Sequence, residues 1–365
     1  MNETPLLKLH KENGAEIGEF AGWRSPLWFT TVREEHNAVR SRAGIFDISH
    51  MTRIRVTGRD STALLEKLLT RDVARTKLGR MKYCLMLNDR GGIIDDLTFY
   101  RRGENDYIIV SNAITRRRVL DWITENSENH SVEVNDYTER SILLAVQGPE
   151  AWRYLEKAMN ISLENVKWFS GLEAEFMGCR TLVTRSGYTG EDGFELNILE
   201  GDVEHFEKIW TELIASGLTP CGLACRDVLR LEAGYPLYGQ DMDENTTPFE
   251  ARLEFAVKLE KEHFIGRESL EKLKNEKPRN LLVGLEMMER GIPRNGYKIY
   301  STEGISIGRV TSGGFSYSVG KGIALARIKT EEAEENNIVE VEIHGKRRKT
   351  IVRTRPFVEH RIPKK

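Results

Sequence analysis

The sequence predicts an α+β chain of more than one domain that ends in a small all-β unit. Three observations carry this. The chain has 365 residues, more than a single hydrophobic core commonly serves. Strand-like and helix-like segments alternate as far as residue 280. Beyond that point only strand-like segments follow, broken by Gly, Pro, Asn and Ser.

The elements follow in chain order. Residues 51–58 (MTRIRVTG) alternate apolar and polar, as a half-buried strand does. Asp60 then precedes STALLEKLL, a helix it is placed to cap. A turn at Gly103–Asp106 leads into a strand over 107–112 (YIIVSN), and 116–124 (RRRVLDWIT) predicts a helix. Further strands are expected over 141–148 and 180–188. Val203, Phe206, Ile209, Trp210, Leu213 and Ile214 recur at helical spacing, which predicts an amphipathic helix over roughly 201–216. A boundary falls near 275–280, at a charged segment and Pro278. After it, IVEVEIHGKRRKTIVR predicts a hairpin that turns near His344–Gly345.

Composition excludes several function classes. The chain carries 54 basic and 56 acidic residues, without the basic excess that nonspecific nucleic-acid binding needs. The first twenty residues lack the apolar core of a signal peptide, and no apolar run reaches the length of a membrane span. A cytoplasmic protein, with no membrane and no nucleic-acid partner, is the expectation. Cys84, Cys179, Cys221 and Cys225 are too few for a disulfide framework. The C-x-x-x-C spacing of Cys221 and Cys225 lacks two further nearby ligands, so buried thiols and no metal are expected. Dinucleotide and P-loop phosphate cradles are absent, as are G-x-S-x-G and H-E-x-x-H. Ser318 to Lys321 fits S-x-x-K without any accompanying motif and predicts a turn.

Three segments concentrate Gly, aromatic and acidic residues. In GGIIDDLTFY (91–100), two glycines form a turn before a strand. Asp95 and Asp96 are adjacent and point to opposite faces of an extended chain, so they make no simple carboxylate dyad. Two readings stand: one acid faces a cavity, or both serve the turn. In SGYTGEDGFEL (186–196), three glycines mark a loop approached closely by other backbone or by a ligand. Glu195 there can accept two parallel donors, or the loop is a plain hairpin with acidic tips. ACRDVLRLEAGYPLYGQDMDENTTPFE (224–250) begins as an amphipathic helix and breaks at Gly234 and Pro236. Its Arg226–Asp227 and Arg230–Glu232 pairs are expected to be ordinary surface ion pairs. Its QDMDEN run is either a functional loop or a solvated acidic turn.

Taken together, these segments resemble the glycine cleavage T-protein family. The likeness includes TPLLKLH (4–10), EFAGWRSPLWF (19–29), GIFDISHM (44–51), QGPEA (147–151), FIGRESL (264–270) and VTSGGFS (310–316). It runs in family order over essentially the whole chain. The resemblance implies a three-domain, cloverleaf-like arrangement. Residues 1–50 with 140–225 would form a first, discontinuous α+β domain, and 51–139 a second, ferredoxin-like one. Residues 226–279 would connect them, and 280–365 would form a C-terminal β-barrel or jelly-roll-like domain.

The resemblance also implies an aminomethyltransferase. Such an enzyme moves the methylene carbon of an aminomethyl group from the dihydrolipoyl arm of H-protein to tetrahydrofolate. The products would be 5,10-methylenetetrahydrofolate, ammonia and dihydrolipoyl H-protein, with P-protein and L-protein as indirect partners. It assigns Asp96 as the catalytic acid and Glu195 as the residue that holds the pterin. Arg226 would contact ligand, and Tyr83, Tyr100, Asn112, Tyr188 and Tyr235 would line the folate pocket. Lys82, Arg101, Arg102 and Arg116–Arg118 offer a basic rim for an acidic carrier. After Pro356-Phe357 the likeness thins, and Arg361 receives no ligand role. Alternatives are a related folate-dependent demethylase and a non-enzymatic folate-binding protein. Against the second, SGYTGEDGFE lacks the cysteine of those relatives; against a sarcosine-type fusion, the flavin domain is missing.

Overall fold

The computed structural model describes residues 1–353 and 356–363. An antiparallel sheet has the order Met81–Leu87, Ile93–Gly103, Asp106–Ser111, Thr52–Thr57, Glu133–Asp136. Ile54 and Val56 on one face meet Leu64, Leu65 and Leu68 of helix Ser61–Leu68, and Val119 and Ile123 of helix Arg116–Asn126. Burying apolar area, at about 25 cal/mol per Å², decides which face the helices cover. Strand, helix, hairpin, helix and strand make a ferredoxin-like unit, with Met81–Leu87 added at its edge. Asp60 precedes the first helix without capping it. Its carboxylate instead accepts the Ser131 N–H at 2.6 Å and ties down a distant loop.

A second sheet has the order Gly171–Phe176, Cys179–Thr184, Gly193–Ile198, Ile142–Gln147, Gly44–Asp47, Thr219–Cys221. Leu155 of helix Ala151–Met159 and Phe206 and Trp210 of helix Val203–Ala215 cover one face. Asp202 caps the second of these through the His205 N–H at 3.0 Å. The other face sets Phe46, Leu143 and Ala145 against Leu223 and Leu229 of helix Leu223–Glu232. The strand expected over 180–188 ends at Thr184, where the chain bends into the glycine-rich loop.

Asn2–Glu3, Trp23–Trp28 and Glu16–Phe20 form a small three-stranded sheet, and the strands from residue 280 onward close into a barrel in the order Asn280–Met287, Lys321–Lys329, Ser306–Ser316, Lys298–Ser301, Ile338–Ile343, Lys346–Arg353. Val283, Leu285, Ile299 and Val341 belong to its core. The last hairpin turns at His344 and Gly345, both with positive φ (50° and 73°), as a two-residue turn between twisted strands requires. Among the described residues no helix is long and apolar enough to cross a membrane.

Helix Leu223–Glu232 joins all three parts, and two of its charges, Arg230 and Glu232, are buried. Arg230 is 1% exposed. It donates to Asp227 (2.7 Å), Asp241 (2.9 Å) and Ser312 of the barrel (2.9 Å). Glu232 accepts from His36 (2.8 Å), Arg40 (2.7 Å) and Ser316 (2.6 Å). Arg230 and Glu232 are therefore not a surface ion pair; each is an internal tie. The QDMDEN run is not a solvated turn either. Its Asp241 is fully buried and accepts from Arg230, the Leu237 N–H (2.8 Å) and Ser312 (2.8 Å). Removing one partner of a buried pair strands the other charge. Arg230→Met is expected to lower stability by about 3–5 kcal/mol in urea unfolding, and Arg230→Met with Asp241→Leu to recover part of that loss.

Candidate active site

Where the two sheets and helix Leu223–Glu232 meet, they enclose a cavity of about 370 Å³, within the range of small-molecule sites. The sequence positions its acid through strand register. Tyr83 pairs with Thr98 and Leu85 with Asp96, so Tyr83, Thr98 and Asp96 share the cavity face. Asp95 points the other way, as adjacency on a strand dictates. A β-bulge at Ile94 re-aims the strand start. The turn before it needs Gly92, since a Cβ there would lie 1.9 Å from the Glu244 carbonyl oxygen. The Ile93 N–H donates to the Thr246 carbonyl at 3.0 Å across the same contact.

Both acids converge on one amide. Asn112 Nδ2 donates to Asp95 Oδ1 (2.7 Å) and to Asp96 Oδ1 (2.9 Å). The Asn112 N–H donates to Asp95 Oδ2 (3.1 Å), and the Tyr83 hydroxyl to Asp96 Oδ2 (3.0 Å). Burial pushes Asp95 well above the carboxylate range, and the Asp96 charge adds to it. Burial raises Asp96 to about 7, against the Tyr83 and Asn112 hydrogen bonds that pull it down. Of the two readings, the structure supports the first: Asp96 faces the cavity, while Asp95 anchors Asn112 behind it and neither acid serves the turn.

Glu195 sits on Gly193–Ile198, opposite Ala145 and Thr184. Ser186 Oγ donates to its Oε2 at 2.6 Å, which leaves the other oxygen open toward the cavity it lines. The loop before it is packed onto Gln147 of QGPEA. A Cβ on Gly187 would lie 1.9 Å from Gln147 Oε1. Gln147 Nε2 donates to the Ser186 carbonyl (3.0 Å), and Thr189 Oγ1 to Gln147 Oε1 (2.8 Å). The Arg226 guanidinium lies 4.8 Å from the Tyr188 ring centre. Burial lowers its pKa, and the Glu195 and Tyr188 charges offset part of that.

Asp96, Glu195, Arg226, Tyr83, Asn112 and Tyr188 therefore line one cavity. Two expected pocket residues do not. Tyr235 stacks behind Tyr188, with ring centres 5.6 Å apart, and His360 packs against its far side. Tyr100 lies further along its strand, opposite Met81 and Ile108. It lines a separate cavity of about 20 Å³ behind Glu195, and its hydroxyl donates to the Gly171 carbonyl at 3.3 Å. Residues 19–21, His50, Ser186 and residues 237–240 also line the main cavity. Ser186 and residues 237–240 fall within the two segments singled out in the sequence, 186–196 and 224–250, and Gln240 opens the QDMDEN run offered as a functional loop; for residues 19–21 and His50 the strings EFAGWRSPLWF and GIFDISHM were the one signal.

The proposed basic rim is largely neutralised. Arg102 pairs with Glu173 and Asp106, Arg116 with Asp136 and Glu139, and Arg118 with Glu244. Arg101 donates to the Ala74 and Thr76 carbonyls at 2.8 Å. The Arg117 side chain, 96% exposed, remains at the surface, 3.7 Å from Asp121. Arg361 is held by Glu191. All four cysteines are free and buried. Glu35 joins Cys221 and Cys225 in one cluster. Its carboxylate already accepts the Phe29, Thr30 and Gly222 N–H groups at 2.6, 3.2 and 2.9 Å, a structural use of those oxygens.

Two α+β units, a barrel and one cavity lined by two carboxyl groups and an arginine have the architecture of an enzyme that binds a small molecule at its centre. The family model described as "GCVT N-terminal domain" matches residues 6–261, and "Glycine cleavage T-protein C-terminal barrel domain" matches 280–359. The aminomethyltransferase of Geobacillus kaustophilus is 44% identical over 363 residues, 98% of each chain. That of Bacillus subtilis is 42% identical over 363 residues, 98% of this chain and 99% of the relative. The crystal structure of glycine cleavage system aminomethyltransferase T from Bartonella henselae superposes with a TM-score of 0.94. It is 36% identical and covers 100% of this chain and 99% of its own. The chain belongs to the glycine cleavage T-protein family and has its activity, aminomethyl transfer. The family implies a folate as substrate.

The raised pKa of Asp96 sets a pH dependence. Below about 7 the carboxyl is protonated and accepts no proton; above it, the carboxylate is present. A carboxyl whose pKa is raised in the folded state costs stability as pH climbs from its unfolded value to its folded one. Asp96→Asn is therefore expected to melt no lower than the unsubstituted protein at pH 8, by calorimetry.

Proposed function

We propose that Asp96 is the acid–base residue of transfer from the dihydrolipoyl arm of H-protein to tetrahydrofolate, with Glu195 holding the pterin. The donor carbon lies between sulfur and an amino nitrogen. The two acceptor nitrogens take it, giving 5,10-methylenetetrahydrofolate, while ammonia and the dihydrolipoyl thiol leave with the two displaced protons. One observation carries the reading: a buried carboxyl held by Tyr83 and Asn112 shares a single cavity with a second carboxyl that Ser186 holds.

Each residue has a task that suits its chemistry. Glu195 offers a planar pair of oxygens, the complement of an amino group beside a ring N–H. Ser186 fixes the plane of that carboxylate. Tyr188, stacked on Tyr235 and beneath the Arg226 guanidinium, lends the cavity an aromatic wall that excludes water. Asp96 stabilises positive charge on the transferred carbon and takes a proton from the attacking nitrogen. Tyr83 and Asn112 hold it in place. Ile114 lines the cavity and is 60% exposed; Phe255, 64% exposed, stacks on Tyr83 at 6.0 Å. This apolar rim suits the hydrocarbon arm of a carrier. Four free thiols fit a reducing compartment, the cytoplasm.

Most of the rate follows from holding two large reactants together, worth effective molarities of roughly 10⁵ M or more. Acid–base help adds about 10²–10⁴-fold. Aminomethylated H-protein and tetrahydrofolate, incubated with the protein, are expected to give ammonia and methylenetetrahydrofolate in equal amounts. Asp96→Asn should cut that turnover by about 10²-fold or more with folate affinity retained; a fully active variant removes Asp96 from the chemistry. Glu195→Ala should weaken folate binding by at least about tenfold in calorimetry; an unchanged dissociation constant excludes it from the site.

A further inference from the structure

The chain passes between the two α+β sheets twice: out from Gly44–Asp47 to Thr52–Thr57, and back from Glu133–Asp136 to Ile142–Gln147. One side chain grips both crossings. Arg53 is fully buried. Its Nη1 donates to the Ser49 carbonyl at 2.7 Å and to the Met51 carbonyl, both on the first crossing. Its Nη2 donates to the Thr138 carbonyl and, at 2.9 Å, to the Ser141 carbonyl, and its Nε to Ser141 Oγ at 3.1 Å, all on the second. Every N–H of the guanidinium is thereby used. The Arg53 main chain adds to this, its N–H donating to Thr138 Oγ1 at 2.9 Å and its carbonyl accepting the Tyr137 N–H at 3.1 Å. The acceptors are carbonyls and a hydroxyl rather than a carboxylate; Asp47 and Asp136 act from further away, against Arg116. Burial lowers the pKa to about 10, so the group stays charged at neutral pH. A rigid planar fork is what lets one cation serve both crossings at once.

The sheets are joined at a second place, along one edge of each. The Met81 N–H donates to the Phe169 carbonyl at 3.0 Å, the Gly171 N–H to the Gly79 carbonyl at 3.0 Å, and Arg102 pairs with Glu173. Met81–Leu87 and Gly171–Phe176 are edge strands, whereas Thr52–Thr57 and Ile142–Gln147 are each the fourth strand in from them. Three strand spacings put the two ties roughly 14 Å apart. Asp96 and Glu195 lie on strands between those ties, the second of one sheet and the third of the other. An edge contact alone leaves rotation about that edge; a second attachment removes it. The neighbours of Arg53 carry the grip toward the site. Thr52 Oγ1 donates to the carbonyl of Asn112, whose amide holds Asp96. The Leu143 N–H donates to Ser49 Oγ at 3.1 Å, and two residues on, Ala145 pairs with Glu195.

We infer that Arg53 is a positioning residue for the transfer: by holding both crossings it fixes the angle between the two sheets, and with it the spacing of Asp96 on one from Glu195 on the other. This rests on the reading of Asp96 as the acid–base group and Glu195 as the ligand holder. The groups divide by sheet. Asp96, Tyr83 and Asn112 move with one, and Glu195, Ser186 and Arg226 with the other and the helix packed on it. Slack at Arg53 therefore shifts the acid relative to a ligand that stays bound. A misplacement of about 1 Å can cost about 10²-fold in rate.

Arg53→Met, which keeps the stem and loses all of the donors, tests this in the full chain. Spin labels at Glu125→Cys and Lys157→Cys, exposed positions on one helix of each unit, report the angle, and the native thiols are buried. The distance distribution is expected to be broader, or displaced, in Arg53→Met. Kinetics give the second readout. Turnover per ligand-binding site, counted from the calorimetric stoichiometry of tetrahydrofolate, should fall about tenfold or more, with the dissociation constant changed by less than about threefold. A role confined to stability lowers the number of competent sites and leaves both the distribution and kcat per site unaltered; that result overturns the inference, as does weakened binding with kcat per site intact. Ser141→Ala decides the matter if Arg53→Met does not fold, because it removes one acceptor and leaves the charge held by carbonyls. There kcat per site should fall about threefold; an unchanged value overturns the inference. If the unsubstituted protein binds no tetrahydrofolate, the pterin reading fails, while the label distances still judge the grip of Arg53.

Discussion

The buried guanidinium of Arg230 is the tie on which the cavity depends. Alone in the interior it would be strongly destabilising, and only a full set of acceptors makes its position tolerable. Those acceptors come from three directions. Asp227 is one turn earlier on its own helix, Asp241 lies beyond the break at Gly234 and Pro236, and Ser312 belongs to the barrel. The helix that presents Arg226 and the loop that presents Tyr238 and Gln240 are therefore fastened to one another and to the barrel. Leu231, packed on Leu282, Ile323 and Leu325, adds apolar contact beside the same tie. No barrel residue lines the cavity among those described, yet the barrel fixes the wall that does.

Burial alone does not explain why one acid titrates near neutrality. Asp47 is 2% exposed, and burial raises its pKa as well. It nevertheless sits at about 2, because His10, the Ser49 N–H and Thr4 all donate to it. Glu232 is likewise held at about 2 by His36, Ser316 and Arg40. Asp96 receives one hydroxyl and a share of one amide group. Asn112 has only two Nδ2 hydrogens, and Asp95 takes the shorter of its two carboxylate contacts. The acid at the cavity wall is kept short of donors by the acid behind it. Donor supply, not depth, separates the saturated structural carboxylates from the one on the cavity wall.

Much of this was legible in the sequence. The amphipathic pattern from Val203 to Ile214 and the turn at His344–Gly345 depend on local periodicity and turn chemistry, and both appear where expected. Adjacency told that Asp95 and Asp96 face opposite ways. It could not tell that Asn112, sixteen residues from Asp96 in sequence, would reach both, because that contact depends on strand pairing. Asp60 misled because Ser131, seventy-one residues away, outcompetes the local helix end. Arg230 and Glu232 looked like surface charges because their partners lie on a distant helix and on the barrel. Tyr100 and Tyr235 belong to long family strings, but a string does not say which side of a wall a ring occupies.

The cavity wall differs in character from the ties around it. On the strand side, Asp96 is an acceptor with limited supply. On the helix side, Arg226 has a buried Nη1 with no partner, and its guanidinium lies over the Tyr188 ring. Elsewhere in this part of the interior the ions are nearly saturated: Arg230, Glu232 and Asp241 each make several hydrogen bonds within the protein. Unpaired buried atoms also lie away from the cavity, among them His36 Nδ1, Glu191 Oε2 and Arg327 Nε, so what sets the cavity apart is its lining: two carboxyl groups, Asp96 and Glu195, together with the Arg226 guanidinium.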